Sequence, residues 1–370
     1  EQQLRDHAER PDLALAYCDQ AHGLSLRAGG SDPPPGLAER LDVPVVAMAR
    51  EVPFSPRMSR NLAEAAGPVD LYHVDEDALV DAAPRLTGGP ARHGLQYACY
   101  LEVGNPHGRE VPFQQRTIDL LYVASWTDPD VWRTAYQRRY RPNAKLFDQS
   151  VERCLGETRR PLWQIVASAC REAGQSLDVF SGEGLDLLFH VHRFVTMHRR
   201  HRVRHQLADR PLHLVWHDSI PHDVRLHPET TVEPGAPFDR VAQLLGASRR
   251  TIVVPELSSR RLSDTLLTAM RAGVAAVTIP NAAVEELFPA GDTLAYVRPD
   301  GSDLVESLRD LDDPSTAESM GRRARERVVG DFSCDARVVE YLERAGLQST
   351  APAEKTTSRS VADPPANEKA

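Results

Sequence analysis

From residue 212 to residue 297, short apolar runs alternate with amphipathic helical stretches, and this alternation restricts the fold more than any other feature of the chain. Runs at 212–216 (LHLVW), 251–255 (TIVVP), 274–279 (VAAVTI) and 293–297 (TLAYV) read as strands. The stretches 237–245, 262–272 and 284–288 between them read as helices, and helices at 303–311, 315–329 and 334–345 follow. Gly273 closes the 262–272 helix as a C-terminal stop, and Asp303 stands where a carboxylate suits the helix dipole. Short apolar strands separated by helices pair in parallel through crossovers, which predicts an α/β fold.

A second, fainter alternation precedes it. Residues 13–17, 43–49 and 69–74 read as strands, with helical stretches at 36–41 and 59–66 and an irregular loop at 27–36 (RAGGSDPPPG). A turn-rich boundary lies near 103–118, and 118–124 (IDLLYVA) opens a second sheet. Helices are expected at 131–140, 148–154 and 162–173, then a long helix at 185–208 with a basic, His-rich face. The division that follows is a first α/β domain at 1–112, a second at 113–347, and a disordered tail at 348–370 without periodicity. Residues 4–9 already read as a helix, so an upstream strand and loop are expected before Glu1 and the first domain is expected to be truncated at its N-terminus. No internal repeat is visible.

Charge narrows the function. With 44 basic and 53 acidic residues the formal charge is −9, unlike the strongly basic balance of a nucleic-acid-binding domain. Of the basic residues 41 are Arg and 3 are Lys, a skew that fits a GC-rich bacterial genome. Any anion held here is therefore expected to meet Arg forks or backbone amides. The five cysteines form no Cys-x-x-Cys pair and are odd in number, which fits a reducing cytoplasm better than a disulfide framework. No apolar run approaches the ~18 residues of an integral membrane segment, and no signal peptide is expected.

Several local signals read as structural. His198, His201 and His205 share a helical face, but Arg193, Arg199, Arg200, Arg202 and Arg204 surround them and would repel a cation. A solvated basic helix is expected there, with no metal site, as a surface for an acidic partner or for peripheral contact with anionic lipid. Trp126, Trp132, Trp163 and Trp216 read as core, and neither Gly29-Gly30 nor Gly88-Gly89 has the spacing of a phosphate-binding fingerprint.

The chemistry concentrates after the 251–255 strand. The loop 256–261 (ELSSRR) leaves the strand's carboxyl end and leads to Ser263, Asp264 and Thr265 at a helix N-terminus. Open α/β sheets bind ligands at that edge. A helix N-terminus favours phosphate through its free amides and dipole. Arg260 or Arg261 can neutralise a diphosphate, Ser263 and Thr265 can donate to it, and Asp264 can accept ribose hydroxyls. The competing reading makes Ser263 or Asp264 a simple N-cap and leaves the arginines in solvent. Both stay open on sequence alone. His217, just past the 212–216 strand, is also placed to meet a ligand.

The stretch RRLSDTLLTAMRAGVAAVTIPNAAVEELFPAGDTLAYV resembles the donor-binding segment of GT-B glycosyltransferases of the CgeB-like group. The matching pieces are Asp264, the helix end Ala269-Met270-Arg271-Ala272-Gly273, the Glu286-Leu287-Phe288 turn, and Gly291 through Tyr296. Residues 322–342 resemble the closing helices of that group and 118–126 its second-domain opening strand, while 43–53 and 69–77 resemble pieces of its first domain. The Glu-x7-Glu pair of many retaining members is replaced here by Arg260 and Thr268. The resemblance implies two Rossmann-like domains facing each other across a cleft. It implies transfer of a sugar from a nucleotide-sugar to an acceptor, without a metal or separate cofactor. It places Ser125, Trp126, His217, Glu256, Arg260, Arg261, Ser263, Asp264 and Thr265 at the donor. A catalytic base would come from the first domain, where His22 and Asp19 follow a strand, with Glu51 a weaker candidate of the same kind. Two other readings of the same fold are a nucleotide-sugar epimerase and a catalytically degenerate binding or scaffold module.

Overall fold

The computed structural model describes residues 16–19, 45–49, 69–73, 93–94, 111–125, 127–217, 225–329, 331–333 and 336. It bears out the α/β expectation with two parallel sheets, each described by itself. In the first, β1 (Ala16–Asp19), β2 (Val45–Ala49), β3 (Val69–His73) and β4 (His93–Gly94) stand in chain order. All three pairings are parallel, with Ala16 opposite Val45 and Val45 opposite Val69. Strand β4, only two residues long, was not expected from the sequence. The helices expected at 36–41 and 59–66, and the tail at 348–370, lie outside the described residues, as does all but residue 336 of the 334–345 helix.

The second sheet contains β5 (Ile118–Ala124), β6 (His213–Trp216), β7 (Thr231–Pro234), β8 (Ser248–Val253), β9 (Ala275–Thr278) and β10 (Ala295–Tyr296). Its order is β10-β9-β8-β5-β6-β7, all parallel. The chain starts at β5, moves outward through β6 and β7, then crosses back to β8 on the other side of β5. The sheet therefore reverses its direction of winding between β5 and β8.

Strand alternation divides the core into two layers. Leu121, Val215, Val253 and Ala276 point to one face, where α5 (Phe238–Gly246), α6 (Asp264–Arg271), α7 (Ala282–Leu287) and α9 (Pro314–Val328) pack. Leu120, Tyr122, Leu214, Trp216, Ile252 and Val277 point to the other, against Val203 and Leu207 and against Leu304 and Leu308 of α8 (Leu304–Asp310). Burial on both faces explains why the strands read as continuous apolar runs rather than as alternating ones.

The crossover from β5 to β6 is a helical subdomain. It contains α1 (Pro129–Arg139), α2 (Ala144–Leu155), α3 (Leu162–Glu172) and α4 (Gly182–Gln206), with an apolar core of its own around Phe147, Val166, Leu187 and Val195. Here a sequence expectation is corrected. Helix α4 is a solvated basic helix only in part: Arg202 and His205 are exposed, but His192 is 1 % exposed, and Arg199 and Arg204 are each 4 % exposed. The reason is local. Arg199 Nη2 donates to the carbonyls of Cys154 (2.8 Å) and Glu157 (3.1 Å), where α2 ends with unpaired acceptors and a negative dipole end. Burial pulls the Arg199 guanidinium down to about 10, still charged at neutral pH. Among the described residues, no group of three or more His, Cys, Asp or Glu stands together to hold a metal ion.

Helix α6 is held at both ends. Ser263 caps its start by accepting from the Leu266 amide at 3.4 Å. At its finish Gly273 takes φ 65°, the Gly273 amide donates to Met270 O, and the Val274 amide reaches back to Ala269 O at 3.0 Å. This is the six-to-one bond of a Schellman turn. Helix α9 crosses that turn at Gly321, where a Cβ would stand 2.2 Å from the Gly273 carbonyl oxygen. Gly321→Ala is accordingly expected to cost about 1–3 kcal/mol, because backbone must move rather than a side chain. Urea unfolding measures it; an unchanged midpoint would show that α9 can slide without loss.

Candidate active site in the second sheet

A cleft of about 350 Å3 opens at the carboxyl edge of the second sheet. Its floor is made by the ends of β5 (Val123 to Ser125) and β8 (Val253 to Glu256), the two strands between which winding reverses. Crossovers leave the sheet on opposite faces there, so their loops part and leave a crevice. His217 and Ala236 flank it on the β6 and β7 side, and Phe238 at the start of α5 is 38 % exposed along its wall. The His217 amide donates to the Ala124 carbonyl at 3.2 Å, which fixes the β6 end beside β5.

Ser125, His217, Glu256, Arg261, Ser263, Asp264 and Thr265 all line this cleft. Arg260 does not line it. Its guanidinium forks onto Glu286 on α7, at 3.1 and 2.6 Å. The two arginines are neighbours in sequence, and the chain turns one toward the cleft and the other toward α7. Thr268, at the other position of the replaced Glu-x7-Glu pair, is fully buried. A carboxylate pair of the same spacing nevertheless stands in the cleft: Glu256 and Asp264. Trp126, His22 and Glu51 lie outside the described residues. Asp19 is the last residue of β1.

The electrostatics around Glu256 are specific. Arg261 Nη1 donates to Glu256 Oε2 at 2.9 Å. Burial works to raise the Glu256 carboxyl, but the positive charges of Arg261, Arg200 and Arg193 overcome it and hold the group below the ordinary carboxylate range. His192, packed behind it on α4, is pulled down to about 4 by burial and stays neutral near pH 7. Opposite, the first turn of α6 presents Asp264 and Thr265 to the cleft, at positions where helix amides have no intrahelical carbonyl partner. The Leu266 and Leu267 amides are already taken by the Ser263 side chain and carbonyl. Ser263 is thus the helix cap.

Two features stand apart from the sequence reading. Arg200, on the helix expected to be solvated, reaches the cleft from α4. No spacing rule could reveal it, because only packing of α4 against the end of β5 decides where its side chain ends. Tyr296, part of the resemblance motif, serves structure: its hydroxyl donates to the carbonyls of Val284 (3.1 Å) and Phe288 at the end of α7. The expectation that tryptophans serve the core holds for Trp216, which is 2 % exposed. Trp132 packs edge-on against Phe189 at 5.6 Å, and Trp163 lies against Phe180 at the same distance.

Residues 193–343 match the family model described as glycosyl transferase-like, a span that contains every described wall of the cleft except the end of β5. No curated protein matches the chain. Among solved structures, the chain is similar to sucrose-phosphate synthase from Thermosynechococcus elongatus at 11 % identity, covering 92 % of this chain and 75 % of that one, with a TM-score of 0.49. It is also similar to Anabaena Alr3699/HepE in complex with UDP-glucose at 12 % identity, covering 93 % and 81 %, with a TM-score of 0.48. A third similar structure is TarM, at 7 % identity and a TM-score of 0.47, covering 90 % of this chain and 54 % of that one. Among the described residues, no helix is long and apolar enough to cross a membrane.

Proposed function

We propose that this chain is a GT-B glycosyltransferase, moving a sugar from a nucleotide-sugar to an acceptor, with the nucleoside diphosphate seated in the cleft between β5 and β8. One observation carries the reading. A helix N-terminus, an inward-facing arginine and a carboxylate pair converge on the switch point of a parallel sheet, within a segment that matches the glycosyl transferase-like family. In this reading the α6 amides, Thr265 and Arg261 take the charge that develops on the leaving diphosphate, without a metal. Asp264 accepts from the ribose hydroxyls. Ser125 and His217 close the far wall. The first domain supplies the acceptor side and the base, with His22 and Asp19 the candidates.

Arg261 must be shared for this to work. It is paired with Glu256, so an arriving diphosphate competes with that carboxylate for the guanidinium fork. The experiment is a melting-temperature screen against UDP-, GDP-, ADP- and CMP-sugars. One nucleotide class is expected to raise the melting temperature, by about 2.7 kcal/mol of linkage at a hundredfold excess over Kd. Asp264→Ala is expected to abolish that rise. A flat response to every nucleotide would remove both the transferase and the epimerase readings and leave a scaffold module. A rise that survives Asp264→Ala would move the ribose elsewhere in the cleft.

A further inference from the structure

Helix α4 belongs to the helical subdomain, yet it holds both loops that form the floor of the cleft. Met197 Sδ accepts from the Thr127 amide at 3.4 Å, just after β5. Thr196 Oγ1 accepts from the Leu257 amide at 3.1 Å, just after β8, and the Leu257 side chain is buried in the subdomain's own core. Arg200 lies one turn further along the same face. Its Nη1 donates to Ser125 Oγ at 2.6 Å and to the Ser125 carbonyl at 3.2 Å, while its own carbonyl accepts from Tyr122 Oη at 3.4 Å. The protein itself therefore fixes the arginine along its length.

Charge separates Arg200 from its neighbours. Of the two described arginines that line the cleft, Arg261 is paired with Glu256. Arg200 hydrogen-bonds only to neutral oxygens among the described residues and acts on Glu256 through its charge, without an ion-pair contact. A guanidinium held by a hydroxyl and a carbonyl keeps its full charge, with donors to spare for a second acceptor. We infer that Arg200 is the second phosphate-binding cation of the cleft, supplied by the inserted helical subdomain and held ready by Ser125. This rests on the donor-site reading above and deepens it. Arg261 must leave a carboxylate to bind a diphosphate, whereas Arg200 need only extend a fork it already aims. The subdomain becomes part of the donor site: any shift of α4 moves the Arg200 charge and both floor loops together.

The test is calorimetric titration of the full chain with UDP, GDP and ADP, each compared with its own nucleoside. For the nucleotide that binds, Arg200→Met is expected to weaken the diphosphate about tenfold or more while nucleoside affinity stays within about twofold. Arg200→Lys, which keeps the charge but not the fork, is expected to fall between wild type and Arg200→Met, and it carries the test if the Met variant does not fold. Raising salt is expected to weaken diphosphate binding more steeply in wild type than in Arg200→Met. Equal losses of diphosphate and nucleoside affinity would make Arg200 a structural brace and overturn the inference. So would wild-type diphosphate affinity in both variants. Absence of binding by wild type to all three diphosphates would instead overturn the donor-site reading, and this inference with it.

Discussion

Arg261→Met is expected to slow release of the nucleoside diphosphate from a bound nucleotide-sugar by about a hundredfold to a thousandfold, the usual effect of removing one preorganised donor from a developing oxyanion. Arg261 lies beside the α6 N-terminus, 2.9 Å from Glu256, and lines the same wall as Thr265. A fork placed there meets a leaving diphosphate without reorganising water. Its loss also strands Glu256, whose carboxylate would then stand against an incoming anion with Arg200 and Arg193 as its remaining cations. Arg261→Met therefore removes an attraction and uncovers a repulsion. Hydrolysis of the donor by water measures it without knowledge of the acceptor. The loss is expected in turnover at saturating donor as well as in affinity. If turnover were unchanged and only affinity fell, Arg261 would bind ground state and transition state alike. The paired variant Arg261→Met with Glu256→Gln is expected to recover part of the affinity, because the repulsive half of the effect is then gone.

Arg116→Met is expected to cost roughly 3–5 kcal/mol of stability, the largest single loss argued for this fold. Arg116 is 7 % exposed, and it donates to the carbonyls of Ser248 (3.0 Å), Gly273 (2.8 Å) and Ala272 (2.7 Å). Two of these acceptors are at the C-terminal end of α6, where carbonyls lack helix partners and the dipole favours a cation. Methionine fills much of the volume but leaves all three acceptors dry. At ~2–4 °C per kcal/mol for a domain of this size, the melting temperature should fall by roughly 10 °C. The consequence reaches the cleft, since α6 carries Asp264 and Thr265 at its other end. Nucleotide affinity in the folded fraction is expected to drop only modestly, because the Ser263 cap and the Leu266 and Leu267 packing remain. A melting temperature within 2 °C of wild type would mean that water reaches these carbonyls and that the buried fork is dispensable.

Part of the candidate site is legible in the amino-acid sequence. A strand, a polar loop and a helix closed by glycine form a local pattern, and every part of it from residue 251 to 279 depends on near neighbours in sequence. The start of α6 shifted by only two residues, from 262 to Asp264, because Leu262 packs in the core ahead of the Ser263 cap rather than inside the helix. Strand β7 escaped the sequence reading for an equally local reason. TVEP is short, ends in proline and is nowhere buried, as suits an edge strand. The first sheet was read at β1, β2 and β3, with β1 found two to three residues further along than expected.

By itself the sequence determined the elements: parallel strands from their apolar runs, the α6 helix from its cap and its glycine, and the polar loop that precedes it. These depend on backbone sterics and hydrophobic periodicity, which act over a few residues. Tertiary structure alone decided where the chemistry meets. It placed β5 beside β8, pairing Leu121 with Thr251, so that loops far apart in sequence share one cleft. It turned Arg261 inward to Glu256 and Arg260 outward to Glu286, although the two are adjacent. It buried Arg199 and half-buried Arg200 on a helix whose basic residues read as solvated, because carbonyls at the end of α2 satisfy Arg199 and Ser125 receives Arg200. A charged side chain goes where a distant partner satisfies it, and that partner is set by packing rather than by spacing along the chain.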